Sequence, residues 1–175
     1  MEEGEKKIVL DADVISHFIK GELLLKLPVI YPGRLIIPDI VKNEISERKG
    51  WDQIINRFLT ETDIQLINFP QSFEYLSEYA HLTSSRGYAL GQGESACMVY
   101  CRFNDAILAS SNLKDINRYC DFHHIEHITT KDILLEGYHK GILTEEVCNN
   151  FIRLIKEKGS KFPYPDLKAI LNQET

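Results

Sequence analysis

Short apolar runs that do not alternate, each ending in polar or acidic residues, recur along the chain between stretches whose apolar positions repeat at helical spacing. Lys6-Lys7 leads into Ile8-Val9-Leu10, and carboxylates follow at Asp11 and Asp13. An unalternating run of this kind reads as a strand buried on both faces, as in parallel sheets covered by helices. Val14 to Lys20 reads as a short helix. Val29-Ile30-Tyr31 and Leu35-Ile36-Ile37, on either side of a Pro32-Gly33 turn, are strand candidates, and Pro38-Asp39 opens a helix. Trp51 to Leu59 is amphipathic, Ile64 to Ile67 is a strand, and Gln71 to Leu82 is a helix with Phe73, Leu76, Tyr79 and Ala80 inward. After the polar stretch Thr83 to Gly87 come a helix through Cys101, a strand over Ala106 to Ala109, a helix through Tyr119 and a strand over Ile125 to Ile128. Helices over Thr130 to Tyr138 and Thr144 to Lys158, separated by a stop at Gly141, complete the pattern. Such alternation predicts a parallel sheet with helices on both sides and right-handed crossovers.

In an open α/β sheet the ligand crevice lies beyond the carboxyl ends of the strands, so Asp11, directly after the first strand, points at it. Capping of the following helix would use one carboxylate and leave the other of the Asp11/Asp13 pair unexplained. Glu44 falls within the apolar arc set by Ile40, Val41 and Ile45. An ion pair with Arg48, four residues on, is one partner for it. Desolvation on an apolar arc makes a metal the stronger one. Gly91-Gln92-Gly93-Glu94 heads a helix whose Cys97, Met98 and Cys101 form a stripe, with Glu94 on the same face. The glycines allow a close backbone approach, while the helix dipole alone would account for an acid in the first turn but not for its inward face. The run Ser110-Ser111-Asn112-Leu113-Lys114-Asp115 again places polar groups at a strand's carboxyl end.

Length and composition bound these readings. A chain of 175 residues with 43% apolar and 26% charged residues suits one well-buried domain. No apolar run approaches the length of a membrane span, and the start Met1-Glu2-Glu3-Gly4-Glu5-Lys6-Lys7 does not read as a signal peptide, so the expectation is a cytoplasmic protein with no membrane partner. The net charge of −6 disfavours a broad phosphate-neutralising grip on nucleic acid, though carboxylates gathered around cations are compatible with a nuclease. Cys97, Cys101, Cys120 and Cys148 lie in apolar patterns without a Cys-x-x-Cys pair, as reduced core thiols do. Cys120, His123, His124 and His127 are rich in ligand atoms, but a helix end passing into a strand makes neighbouring side chains diverge, against a zinc site.

Two reaction classes place an aspartate at such a strand end. Leu10-Asp11-Ala12-Asp13 matches the Asp-x-Asp of haloacid-dehalogenase-like phosphatases, where the first Asp is a nucleophile, but that chemistry wants a later aspartate pair, and Phe122 to Ile128 has none. The ordered set Leu10-Asp11-x-Asp13, Glu44 on an early helix, Gly91-Gln92-Gly93-Glu94 heading a later one, and a polar strand end at Ser110 to Asp115 resembles the PIN-domain family of metal-dependent ribonucleases. Thr129-Thr130-Lys131-Asp132-Ile133-Leu134 and Gly137-x-x-x-Gly141-Ile142-Leu143 are similar to a prokaryotic PIN branch related to toxin nucleases of toxin-antitoxin pairs.

The resemblance implies a three-layer α/β/α sandwich with a central, mainly parallel sheet over residues 1–158, leaving 159–175 as a C-terminal tail with a short helix. It also implies phosphodiester hydrolysis of single-stranded RNA with Mg²⁺ or Mn²⁺, with an antitoxin or a second copy of the chain as protein partner. Asp11, Glu44 and Glu94 then match the family's metal-binding acids, and Asp13 is peripheral. Where the family has a further acid after the next strand this chain has Asn112, a metal ligand through its carbonyl oxygen, with Asp115 as the substitute acid. A binding module that keeps the fold with weakened catalysis is the alternative. Phe162 and Tyr164, set between prolines in the tail, suit either docking of a partner or packing on the domain itself.

Overall fold

The structure, a computed structural model, describes residues 5–84 and 86–173 apart from the Asp115 side chain. β1 (Ile8–Leu10), β2 (Leu35–Pro38), β3 (Gln65–Ile67), β4 (Ile107–Ala109) and β5 (His127–Ile128) form one parallel sheet in the order β3-β2-β1-β4-β5. Val9 and Leu10 have no solvent exposure, and Val9 stands in register with Ile36 on one side and Leu108 on the other. These are the unalternating apolar runs of the sequence, and burial on both faces is why they do not alternate.

Helices flank the sheet to make a three-layer α/β/α sandwich. α1 (Ala12–Lys20), α2 (Leu27–Ile30), α3 (Asp39–Ser46), α4 (Trp51–Glu61) and α5 (Phe73–Thr83) precede the central helix α6 (Gln92–Asn104), and α7 (Leu113–His123), α8 (Thr130–His139), α9 (Glu145–Glu157) and α10 (Leu167–Leu171) follow. α6 packs with α3, α5 and α7, whereas α9 packs with α1, α8 and α10. The start signals act as expected at α8, where Thr129 and Asp132 form a reciprocal capping box, and at α9, where the Thr144 side chain accepts from the Val147 amide. Among the described residues no helix is long and apolar enough to cross a membrane.

Two expectations fail locally. Val29-Ile30-Tyr31 is not a strand: Val29 and Ile30 end α2, and Tyr31 is its C-cap. Pro28 sits in the first turn, where its missing N–H has no cost, and Leu27 and Ile30 are buried at helical spacing while Val29 is 52% exposed. α5 is rotated from its expected face, leaving Phe73 85% and Leu76 39% exposed and Ala80 exposed too. Tyr79 packs inward as expected, on Phe69 with ring centroids 5.2 Å apart, but it is joined by Tyr75 at 5.9 Å, and Glu78 accepts hydrogen bonds from Arg102 and the Tyr119 hydroxyl, each at 2.8 Å. A polar clip joining α5, α6 and α7 therefore outranks the apolar spacing. In the tail, Leu167 and Ile170 are fully buried in the common core, and the Leu167 amide donates to Asn149 Oδ1 at 2.8 Å.

Candidate functional site

The chain leaves β1 toward β2 on one side and returns to β4 on the other, so the strand order switches direction between β1 and β4. A crevice beyond the strand ends forms at such a point. Asp11 sits there: its amide still bonds Ala109 O of β4 at 3.0 Å, and its Oδ1 accepts from the Ala12 amide at 2.7 Å as the N-cap of α1. The cap and the crevice position are thus properties of one carboxylate, which is 5% exposed. Asp13, in the first turn of α1, accepts from the Ser111 amide through Oδ2 at 2.8 Å, tying α1 to the end of β4.

Glu44 reaches the same place from α3 and Glu94 from the first turn of α6, where it is 9% exposed. Gly93 makes this convergence possible, because a Cβ there would run into the Glu44 carboxylate and press on Val41. Asn112, the residue before α7, donates from Nδ2 to Glu94 Oε1 at 3.0 Å. The result is a cavity of about 340 Å³ lined by Asp11, Asp13, Glu44, Glu94, Asn112 and Arg48, with the loop from Tyr88 to Gly91 as its rim. A second cavity of about 510 Å³, bounded by Asn43, Glu47, Tyr79 and Gln92, shares Glu44 and Gly91 with the first. The two adjoin at these residues, between α3 and the start of α6.

Asp11, Glu44, Glu94 and Asn112, singled out from the sequence, therefore line one cavity. The backbone of Asp115 lies in α7, but its side chain lies outside the described residues. Asp13, expected at the periphery, lines the cavity as well. Arg48 forms no ion pair with Glu44 among the described residues. It donates to Ser16 Oγ at 2.9 Å, with its guanidinium carbon 4.9 Å from the centre of the Trp51 ring. Of these, the depth of Asp13 and the aim of Arg48 escaped sequence reasoning; the Ser110-Ser111 pair after β4 was the available sign that backbone amides there could hold an acid.

The electrostatics are those of carboxylates crowded out of water. Burial, then the charges of Asp13 and Glu94, push Asp11 well above the ordinary carboxylate range. Burial also raises Asp13, and the amides of Ser111, Val14 and Asn112 pull it partly back. Asp13 Oδ1 is buried with no hydrogen-bond partner among the described residues. An orphaned carboxylate oxygen beside several more oxygen donors, with neither thiol nor imidazole among the cavity's lining residues, fits a hard divalent cation in kind. Among the described residues, however, no three acidic, histidine or cysteine side chains stand together as a formed metal group. Asp11 faces its own helix amide and Glu94 faces Asn112. Binding would require these carboxylates to turn inward.

Among the described residues Cys120 and the nearby histidines do not stand together as a metal group: Cys120 is buried in α7, the His123 ring lies tilted against Tyr119 with centroids 4.3 Å apart, His124 ends α7 in the left-handed region, and His127 lies on β5. Comparison with protein-family models and with curated proteins finds no match for the chain.

Proposed function

We propose that this protein is a divalent-cation-dependent phosphodiesterase acting on single-stranded RNA, as its resemblance to PIN-domain ribonucleases implies. The observation that carries the reading is the convergence of Asp11, Asp13, Glu44 and Glu94, from three separate helix starts and faces, on one cavity at the β1/β4 switch. Asp11, Glu44 and Glu94 would hold Mg²⁺ or Mn²⁺, with Asn112 adding a carbonyl oxygen. Such an ion, when bound, activates water at neutral pH and stabilises the leaving oxygen.

The chain's own groups do the rest. Asp11 anchors the start of α1 through its cap, so the helix end that carries it is ordered before substrate arrives and only its carboxylate has to turn. Asp13 holds the Ser111 amide and so fixes the end of β4 against α1, which positions the cavity wall. Arg48, at the edge of an otherwise acidic cavity, offers a guanidinium to the substrate phosphate. The test is cleavage of labelled single-stranded RNA with Mg²⁺ or Mn²⁺ against EDTA, in the wild type, Asp11→Asn and Glu94→Gln. Cutting that requires metal and both acids supports the reading. Cutting that survives EDTA overturns it.

A binding module with weakened catalysis is the second reading, favoured by one contact: an amide, Asn112, hydrogen-bonds Glu94 where a further acid would complete the site.

A further inference from the structure

Beside the acidic cavity, across the ends of β4 and β5, lies a second one of about 260 Å³ with a different chemistry. Its floor at His17 and Ser111 is braced from behind by the fully buried Thr130: Ser111 Oγ and Thr130 Oγ1 are 2.9 Å apart, and His17 Nδ1 lies 2.8 Å from Thr130 Oγ1. Two cations, Lys131 and Lys161, stand at its walls, with Asp132 3.5 Å from the Lys131 ammonium, so among the described lining residues one positive charge remains in excess. Phe162 and Tyr164 of the tail form the opposite wall. Their ring centroids are 5.5 Å apart at 65°, and Tyr164 is anchored by its hydroxyl to Gln173 Oε1 at 3.0 Å. Both rings remain only partly buried.

The two cavities share a partition one residue thick. Ser111 lines the second cavity and donates its amide to Asp13 of the first, while the next residue, Asn112, lines the first. A partly buried aromatic wall takes a base by stacking, and ammonium groups take a phosphate. A volume below that of drug-sized pockets, about 300–1,000 Å³, suits one ring rather than a larger ligand.

We propose that this cavity is a nucleotide subsite: the tail aromatics receive one base of a single-stranded RNA, and Lys131 and Lys161 its phosphate, beside the acidic cavity in which the neighbouring phosphodiester lies. The tail residues 161–164 are then part of the binding surface. This inference rests on the nuclease reading for the identity of the chain bound, but not for the existence of the site.

The test uses the full chain in EDTA, with a fluorescein-labelled single-stranded hexaribonucleotide followed by anisotropy. Tyr164→Ala is expected to weaken binding about tenfold. Lys161→Ala and Lys131→Ala are expected to weaken it and each to lower the salt dependence by about one phosphate contact. Lys161 is exposed, so that variant tests the site without touching the core, and thermal unfolding checks Tyr164→Ala. A titration of the wild type with cytidine 5′-monophosphate, read by amide shifts at His127 and Thr129, should show the same cavity binding more weakly than the oligomer. Oligomer binding that is indifferent to all three substitutions overturns the subsite even if metal-dependent cutting stands, as does a failure of the wild type to bind either probe. A mononucleotide that binds as tightly as the oligomer overturns the strand assignment in favour of a free-nucleotide site. Binding lost on these substitutions in a protein that never cuts RNA upholds the subsite and removes the nuclease reading instead.

Discussion

The Glu44 carboxylate fills the space that a side chain at Gly93 would need. Glycine at that position costs α6 helix propensity, about 1 kcal/mol relative to alanine in a helix interior, and returns a close approach of α6 to α3.

Gly93→Ala should therefore leave thermal stability within about 1 kcal/mol of the wild type, since the far end of Glu44 can swing away and the helix gains propensity. The carboxylate, however, would be displaced from the cavity. Mn²⁺ affinity measured by calorimetry should fall tenfold or more. Unchanged affinity would mean that Glu44 is not a ligand.

Asp11→Asn separates capping from charge. Asparagine caps a helix about as well as aspartate, so the Ala12 contact is kept while a buried charge beside Asp13 and Glu94 is removed. Asp11 is raised in the folded state, so it binds more protons folded than unfolded above its ordinary value of 3.8, and its contribution is lost as pH rises through the folded value. In EDTA at neutral pH the variant should be more stable than the wild type, by on the order of 1 kcal/mol, with the difference vanishing below the ordinary carboxylate range. Urea unfolding at several pH values measures this. In saturating Mn²⁺ the order should reverse, because ligand binding then stabilises only the wild type.

These positions show why the acidic site was legible along the chain while its surroundings were not. Asp11 announces itself by following an unalternating apolar run, Glu44 by lying inside an apolar arc, and Glu94 by the two glycines before it; each is a conflict with local burial that a helix or strand pattern exposes. Arg48 carries no such conflict, because an arginine on a helix end is ordinary, and its aim depends on Ser16 and Trp51 in three dimensions. The rotation of α5 was hidden for a related reason. Phe73 and Leu76 satisfy the apolar spacing, but Phe69 and the Glu78, Arg102 and Tyr119 cluster come from other elements and decide the face. The partition at Ser111 is likewise tertiary, joining α1, β4 and α8 through groups far apart in sequence.

His17 supplies a pH dependence of the opposite sign to Asp11. Burial, with a smaller contribution from Lys20, lowers it to about 4 from an ordinary 6.5, so it is folded as the neutral ring. Stability from this group is present above 6.5 and lost as pH falls toward 4. His17→Gln, which retains a group able to bond Thr130, should lose less stability than the wild type between pH 7.5 and 5, by up to about 2 kcal/mol. Urea unfolding at those two pH values checks it, and equal losses in the two proteins would show that His17 titrates freely.

The last prediction concerns Asn112, whose Nδ2 donates to Glu94 Oε1 at 3.0 Å. Asn112→Asp replaces that donor with a second acceptor and brings another negative charge to a cavity in which Asp11 and Asp13 are already raised by burial. In EDTA the variant should be destabilised by about 1–2 kcal/mol, the cost of a lost hydrogen bond and a like-charge contact. Divalent-cation sites respond the other way, since affinity rises with the number of charged oxygen ligands. The Mn²⁺-induced rise in melting temperature should accordingly be larger in Asn112→Asp than in the wild type, and any RNA cleavage faster. That pairing, weaker without metal and tighter with it, is not produced by a merely structural asparagine. If Mn²⁺ affinity and cleavage are both unmoved while the protein is destabilised, the Asn112–Glu94 hydrogen bond serves to close a site that no longer takes a cation, and the domain is better understood as one that binds RNA without cutting it.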